Sequence, residues 1–346
     1  MLVYWLLFAF FATGALLSAR SGERQASPLL IAGAVLIALI IGLRYEVGGD
    51  WKTYEFLFSY ARYADLGRML ELGDPGYQLL NWVVRRVGDN IWLVNLVCGS
   101  IFAWGLYRFC RVQPASWLAF TVAVPYLVIV VGMGYSRQAV AIGILMAGLA
   151  ALARGASILK FSIYVGAAVL FHKTAVVVLP LVIFAGERNR LLNVLAGAAA
   201  TFLLYDLFLA QALEGFVRNY IQAEYSSQGA VIRVAMNLVP AVIFLLFRKR
   251  LRFHPGEERI WFFFALASLL MALLLVVLPS STVVDRLALY LIPIQVAVLP
   301  RLRYLFGSQL GNVLVVGYSA LVLFTWLSFA AHAEYWLPYR FSPDAF

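Results

Sequence analysis

The sequence is poor in charge. Only 13% of its 346 residues are Asp, Glu, Lys or Arg, about half the ~25% of an ordinary soluble domain. Hydrophobic residues make up 63%, and the mean hydropathy is +0.87. A soluble fold of this length could not bury so much apolar surface, so its solvent must be largely lipid. A disordered chain and a cytosolic enzyme are excluded. Cysteine is scarcer still, with Cys98 and Cys110 alone. On one helix they would lie ~18 Å apart at 1.5 Å per residue. A disulfide needs Cα atoms within ~7 Å, so a disulfide scaffold is excluded and both cysteines read as packing residues. There is no P-loop and no metal-ligand spacing. No metal or other cofactor is expected, and nothing suggests ATP coupling or a domain holding a nucleotide sugar.

What is present is a series of apolar runs. A spanning helix needs ~20 apolar residues. Candidate spans are 2–19, 28–43, 91–107, 115–133, 137–153, 191–208, 231–247, 260–278, 286–300 and 311–330. The first has no basic segment before it, which predicts an uncleaved helix with its N-terminus outside. One longer apolar stretch, 158–186, is interrupted by His172 and Lys173.

Charge decides how that stretch crosses. Cytoplasmic loops carry an excess of Lys and Arg. Counting 158–186 as two crossings gives an all-α polytopic protein of about 12 helices, with both termini outside. The inner loops then hold 15 of the 27 cations and 4 of the 17 acids, a net of about +11, and the outer face a net of about −1. Counted as one crossing, the block Arg248-Lys249-Arg250-Leu251-Arg252 would fall outside. The overall charge of +10 is thus an orientation signal. No basic run with interleaved aromatics suggests a nucleic-acid partner.

Each half of 158–186 is too short for a ~30 Å hydrocarbon core. The turn at His172-Lys173-Thr174 should therefore lie below the outer surface, where irregular backbone must be buried or line a wet cavity. This predicts an outward-opening cavity, of the kind seen in GT-C glycosyltransferases, with His172 and Lys173 near its floor. Outer loops are expected at about 44–90 and 209–230. The first carries Trp51, Tyr54, Phe56, Phe58, Tyr60 and Tyr63, which read as amphipathic helices at headgroup level. No internal repeat is visible, and residues 1–346 read as one integral domain.

Ionisable residues at the ends of spans are functional candidates, and here they gather at the outer face. Arg44, Glu46 and Asp50 follow the second span, with Gly48-Gly49 permitting close backbone approach to a ligand. Asp74-Pro75-Gly76-Tyr77 forms an outer turn. Arg137-Gln138 opens one span, His172-Lys173 breaks another, and Asp285-Arg286 with Tyr290 opens a third. Clustered Arg and Lys donors at a membrane surface suit a diphosphate. A nearby carboxylate or neutral imidazole can take a proton from a sugar hydroxyl. Together they suggest transfer from a lipid-linked diphosphate donor, with cations stabilising the leaving group.

At these residues the sequence resembles the EpsG family of Wzy-type polysaccharide polymerases. The resemblance rests on RYEVGGDWKTY at 44–54, DPGYQLLN at 74–81, SRQAVA at 136–141 and FHKTAVVVLPL at 171–181, in order and at matching spacing. A late Asp285-Arg286-x-x-x-Tyr290 and a Trp336-x-Pro338-Tyr339 tail fit as well. The resemblance implies a multi-pass glycosyltransferase of the bacterial inner membrane, whose active site faces the periplasm or exterior. It implies joining of undecaprenyl-diphosphate-linked oligosaccharide repeat units into an exopolysaccharide, O-antigen or capsule, with lipid-linked donor and acceptor as partners. A polymer of set length would also need a chain-length regulator. The family's motif residues fall on Arg44, Asp50, Asp74, Arg137, His172 and Lys173.

On this reading Arg44, Arg137, Lys173 and Arg286 hold the diphosphate. Asp74, Tyr77, Gln138 and Tyr290 contribute to substrate binding. Asp50 or His172 is the catalytic base, the other orienting the acceptor. Two rivals remain. A single-sugar transferase using a polyprenyl-monophosphate sugar would call on an acidic pair such as Glu46 and Asp50. A transporter of lipid-linked sugars would be expected to show repeats and a charged site near the midplane.

Overall fold

The computed structural model describes residues 1–21, 28–88, 90–186, 229–278 and 281–343, with residues 195, 199 and 202 between them. The expected span 191–208 and the outer loop 209–230 fall almost wholly outside these residues. Among the described residues the chain is helical, with one isolated β-bridge between Arg44 and Phe341.

In chain order the helices are α1 (Leu2–Ser21), α2 (Pro28–Gly42), α3 (Trp51–Tyr60), α4 (Leu66–Glu71), α5 (Pro75–Val87) and α6 (Ile91–Cys110). Next comes α7 (Ser116–Ala123), running on as a π-helix over Val124–Gly132, then α8 (Ser136–Ala153) and α9 (Ile158–Phe171). A 3-10 turn, Lys173–Val177, leads into α10 (Val178–Phe184). After residue 228 come α11 (Ala230–Phe247), α12 (Pro255–Val277), α13 (Ser281–Ala288), α14 (Pro293–Val298), α15 (Arg303–Phe306) and α16 (Ser308–Phe329). Short 3-10 turns join α13, α14 and α15 into one apolar rod, Ser281–Phe306.

Seven of these segments are long and apolar enough to cross a membrane, and four shorter apolar helices accompany them. Burial shows which lie inside the bundle. In α8 and in the rod Ser281–Phe306, 83% of the apolar window is enclosed, against 22% in α12. The two enclosed elements carry Arg137 and Arg286, so the centre of the bundle also positions the polar residues at its end.

The stretch 158–186 is interrupted where the charges stand. His172 is extended (φ −157°, ψ 112°) and ends α9. The helices α8 and α6 meet on small residues, a contact that lets apolar backbones approach closely. A Cβ on Gly105 would stand 1.9 Å from the Gly143 carbonyl oxygen, and one on Gly143 would stand 2.7 Å from Phe102 Cα. Gly105→Ala is therefore expected to push the helices apart and cost about 1–3 kcal/mol, read as a lower melting temperature in detergent. Gly166→Ala on α9 faces open space and should be neutral or slightly stabilising.

The described residues between 44 and 90 form three short helices, α3 to α5. The aromatics expected together at headgroup level divide. Trp51, Tyr54 and Phe58 are buried in the bundle, whereas Phe56, Tyr60 and Tyr63 are exposed. The spacing is that of an amphipathic helix whose inner face meets protein.

The C-terminal segment is stitched across the end of the bundle. Tyr45 N–H donates to the Arg340 carbonyl (2.9 Å), Gly48 N–H to Tyr335 (2.8 Å) and Ser342 N–H to Leu43 (2.8 Å). Trp336 is 2% exposed, and its indole N–H donates to the Ile129 carbonyl (2.9 Å) within the π-helix. The Tyr4 hydroxyl donates to the Trp336 carbonyl (2.7 Å), so the first helix and the tail meet at this end. Gly48 has φ +108°, and a Cβ there would lie 2.4 Å from the Met133 carbonyl oxygen. Its close approach is to protein backbone, which corrects the expectation of a ligand contact. The strand-like clasp leads directly into Asp50.

Candidate functional site

Three aspartates precede the helices α3, α4 and α5. A carboxylate in that position ordinarily accepts from a first-turn N–H. Asp65 does so, taking the Arg68 N–H at 2.9 Å. Asp50 and Asp74 do not cap the helices they precede, and their carboxylates are directed elsewhere.

Asp74 is the hub. It is 5% exposed. One oxygen accepts from Arg137 Nη1 at 2.9 Å, and the other accepts from the Lys173 N–H at 3.1 Å. His172 Nδ1 lies 3.9 Å from that second oxygen. The Lys173 N–H is one of the unpaired donors at the start of a helical turn. Asp74 therefore caps, from a distant element, the turn that follows the break in 158–186.

The Asp50 carboxylate makes no hydrogen bond or ion pair among the described residues, while its backbone carbonyl accepts from the Tyr54 N–H at 3.1 Å. It is largely enclosed, and burial raises its carboxyl above the usual carboxylate range, opposed by the nearby Arg286 and Arg137 guanidiniums. Burial, then the Asp50 charge, push the Tyr54 phenol up to about 12, so Tyr54 stands as a neutral ring beside Arg137, whose guanidinium lies 5.9 Å from its centroid. The Arg286 guanidinium stacks 4.4 Å above the Tyr135 ring. Gln138 Nε2 donates to the Arg286 carbonyl at 2.8 Å and fixes its backbone. The Tyr290 hydroxyl pairs with Thr174 at 3.1 Å, and its ring lies 6.3 Å from that of His172.

The expected residues thus separate into two groups. Asp50, Arg137, His172, Lys173 and Arg286 retain exposed surface. Asp74, Tyr77, Gln138, Tyr290 and Arg44 are buried. Tyr77 packs on Tyr54 with centroids 5.4 Å apart, away from any opening.

Arg44, expected to hold the diphosphate, lies inside the bundle with its donors engaged by protein. It is 0% exposed, and its guanidinium donates to the Val47 carbonyl (3.2 Å), the Ile41 carbonyl (2.5 Å) and Ser136 Oγ (2.7 Å). These bonds tie the end of α2 to the 44–50 loop and to the start of α8. Arg44→Met should lower stability by about 2–4 kcal/mol, since buried acceptors left unpaired cost ~1–3 kcal/mol each. A melting curve in detergent checks this. Unchanged stability with lost substrate binding would restore Arg44 as a ligand.

Asp285 pairs with Arg233 through both carboxylate oxygens, Arg233 Nη2 lying 2.7 Å from Oδ2. Its neighbour Arg286 is left to face the site. Sequence reasoning missed Arg233, although a lone cation near the start of an apolar span is the same signal that singled out Arg137. Glu46 forms an ion pair with Arg340 at 2.6 Å on the exposed surface. A cavity of about 490 Å³ opens nearby, lined by residues of α11, α16 and the π-helix. Neither His172 nor Lys173 lines it. The floor expected around them is a part-open polar patch, with the His172 side chain 26% exposed.

Fold and site together define a helical integral membrane protein with a mixed cation and carboxylate cluster at one end of its bundle. A family model narrows this class. The EpsG family model matches residues 29–341, and the chain belongs to the EpsG family, whose members are Wzy-type polymerases. No curated protein and no solved structure matches the chain.

Proposed function

We propose that this protein polymerises polyprenyl-diphosphate-linked oligosaccharide repeat units into a bacterial surface polysaccharide. The observation that carries the reading is the Asp50 carboxylate, unengaged, half-buried and under the influence of the Arg286 and Arg137 charges. A fixed base beside cations suits a displacement in which a proton leaves one oxygen while negative charge builds on another.

The acceptor sugar hydroxyl attacks the anomeric carbon of the donor chain. Its proton passes to Asp50. The carbon–oxygen bond to the diphosphate breaks, and the diphosphate leaves with the electron pair. Arg286, Arg137 and the Lys173 ammonium offset its charge, a role suited to guanidinium forks. His172, held beside Asp74, orients the acceptor.

The polar cluster belongs on the periplasmic or outer side of the inner membrane. Arg248 to Arg252, Arg108, Arg111 and Arg303 adjoin the opposite ends of the helices, and such residues favour the cytoplasm. Twelve crossings with both termini outside agree with that orientation.

The single-sugar transferase is less well supported, because Glu46 of its acidic pair is engaged by Arg340 at 2.6 Å on the exposed surface. Purified protein in liposomes, given lipid-linked repeat unit as sole substrate, should yield a ladder of polymer. One added sugar per acceptor would support the transferase. Translocation with no new glycosidic bond would support the transporter.

A further inference from the structure

The cavity of about 490 Å³ lies between α11 and α16 and plays no part in the chemistry above. From Gly229, which caps α11, it runs along that helix to Val239, and along α16 from Tyr318 to Phe329. At 1.5 Å per residue that is a groove ~15 Å long. Its walls are largely apolar, with Met236, Val239 and Val322 beside the hydroxyl of Thr325. Its rim is open to the bilayer, with Ile232 58%, Leu321 61% and Phe329 73% exposed. A volume within the ~300–1,000 Å³ of ligand sites is thus offered to a molecule arriving from the lipid phase.

One end of the groove is chemically different. Tyr135 lines it, and Arg286 stacks on that same ring. Arg233 also lines it, and is bound to Asp285, the chain neighbour of Arg286. The charge of Arg233 is met by this partner. Arg286 has no ion pair among the described residues, and its charge acts on the nearby Asp50 carboxyl. An apolar channel therefore leads to a cation at the edge of the proposed reaction centre.

We infer that this groove holds the polyprenyl chain of the donor lipid, delivering its diphosphate to Arg286. The inference rests on the proposed polymerase reading and adds the place where the lipid lies. A chain seated between α11 and α16 brings its head past Tyr135. The anomeric carbon beyond the diphosphate then faces Asp50. Ion-paired Arg233 leaves the mouth without net charge, so an apolar chain passes it at little electrostatic cost.

A polyprenyl diphosphate without sugar, carrying a photoreactive diazirine in its chain, tests this on the full-length protein in nanodiscs. Crosslinks are expected on Met236, Val239, Val322 and Thr325. Val322→Trp fills the groove and should cut the yield at least ~10-fold, as a blocked site must. Val313→Trp, on an exposed part of α16 outside the groove, should leave it unchanged. Ala235→Phe, on the facing helix, makes the same test if Val322→Trp does not fold. Crosslinks confined to other helices, or wild-type yield in both folded groove variants, would overturn the inference. So would competition by phosphatidylglycerol but not by unlabelled polyprenyl diphosphate, which would mark a site for bulk phospholipid. Because the probe carries no sugar, its binding is read independently of polymerisation. Groove crosslinks without a polymer ladder from wild-type protein would sink the polymerase reading and keep a lipid groove. A ladder without groove crosslinks would do the reverse.

Discussion

Asp50→Asn is expected to reduce chain extension by about 10²–10⁴-fold, the range supplied by a positioned base, with no loss of melting temperature. The second half of that expectation comes from the structure. Asp50 neither caps α3 nor makes an ion pair, so the amide removes a charge and no structural bond. A pH profile sharpens the test. Burial raises the Asp50 carboxyl above the ordinary carboxylate range. The base is competent only when ionised. Wild-type activity should therefore fall as pH drops through that raised value, and the residual activity of Asp50→Asn should lack this limb. A variant with normal polymer length at matched expression would remove Asp50 from the chemistry and leave His172 as the base.

Asp74→Ala should do the opposite, damaging both fold and activity. It would strip Arg137 of its partner, leave the Lys173 N–H uncapped and free the His172 ring at once. Breaking a buried ion pair costs ~3–5 kcal/mol. The Arg137 side chain is 29% exposed and regains some water, so about 2–3 kcal/mol is expected here. Chain extension should be lost as well, since Arg137 and His172 would no longer be held in place. Asp74→Asn keeps an acceptor for the Lys173 N–H and should recover part of the stability. An Asp74→Ala protein that melts like the wild type would show that the hub does not hold the site together.

The contrast between these aspartates shows where sequence reading ends. Both precede short helices and both look like N-caps. Whether such a carboxylate caps, pairs or stays unengaged depends on which side chains other helices bring to it. Arg137 is 63 residues from Asp74, and Lys173 is 99. Arg44 shows the same limit. A cation after an apolar span reads as a surface ligand, yet Ser136, 92 residues away, and two backbone carbonyls occupy its donors. Local spacing carries no record of such partners. Arg286 and Asp285 are adjacent and suggest each other as an ion pair. The fold instead gives Asp285 to Arg233 on α11 and stacks Arg286 on Tyr135.

The elements themselves were largely legible. The described apolar helices fall close to the expected spans, and 158–186 is interrupted at His172 as its polar residues suggested. Aromatic placement in 44–90 was legible in its helical period but not in its target. Periodicity tells which residues share a face, while the neighbour on that face, lipid or protein, is a tertiary matter.

By itself, then, the sequence determined that this is a helical membrane protein, where its apolar segments run, and which few ionisable residues stand at their ends. Lipid demands apolar runs of set length with internally paired backbone, and that demand is written locally. The tertiary structure alone decided that Arg44 is a strut, Asp74 a hub and Asp50 an unengaged carboxylate. It alone placed Tyr135 both in the wall of an apolar groove and under the Arg286 guanidinium. Those assignments depend on pairings between distant helices, and only packing brings their side chains within bonding distance.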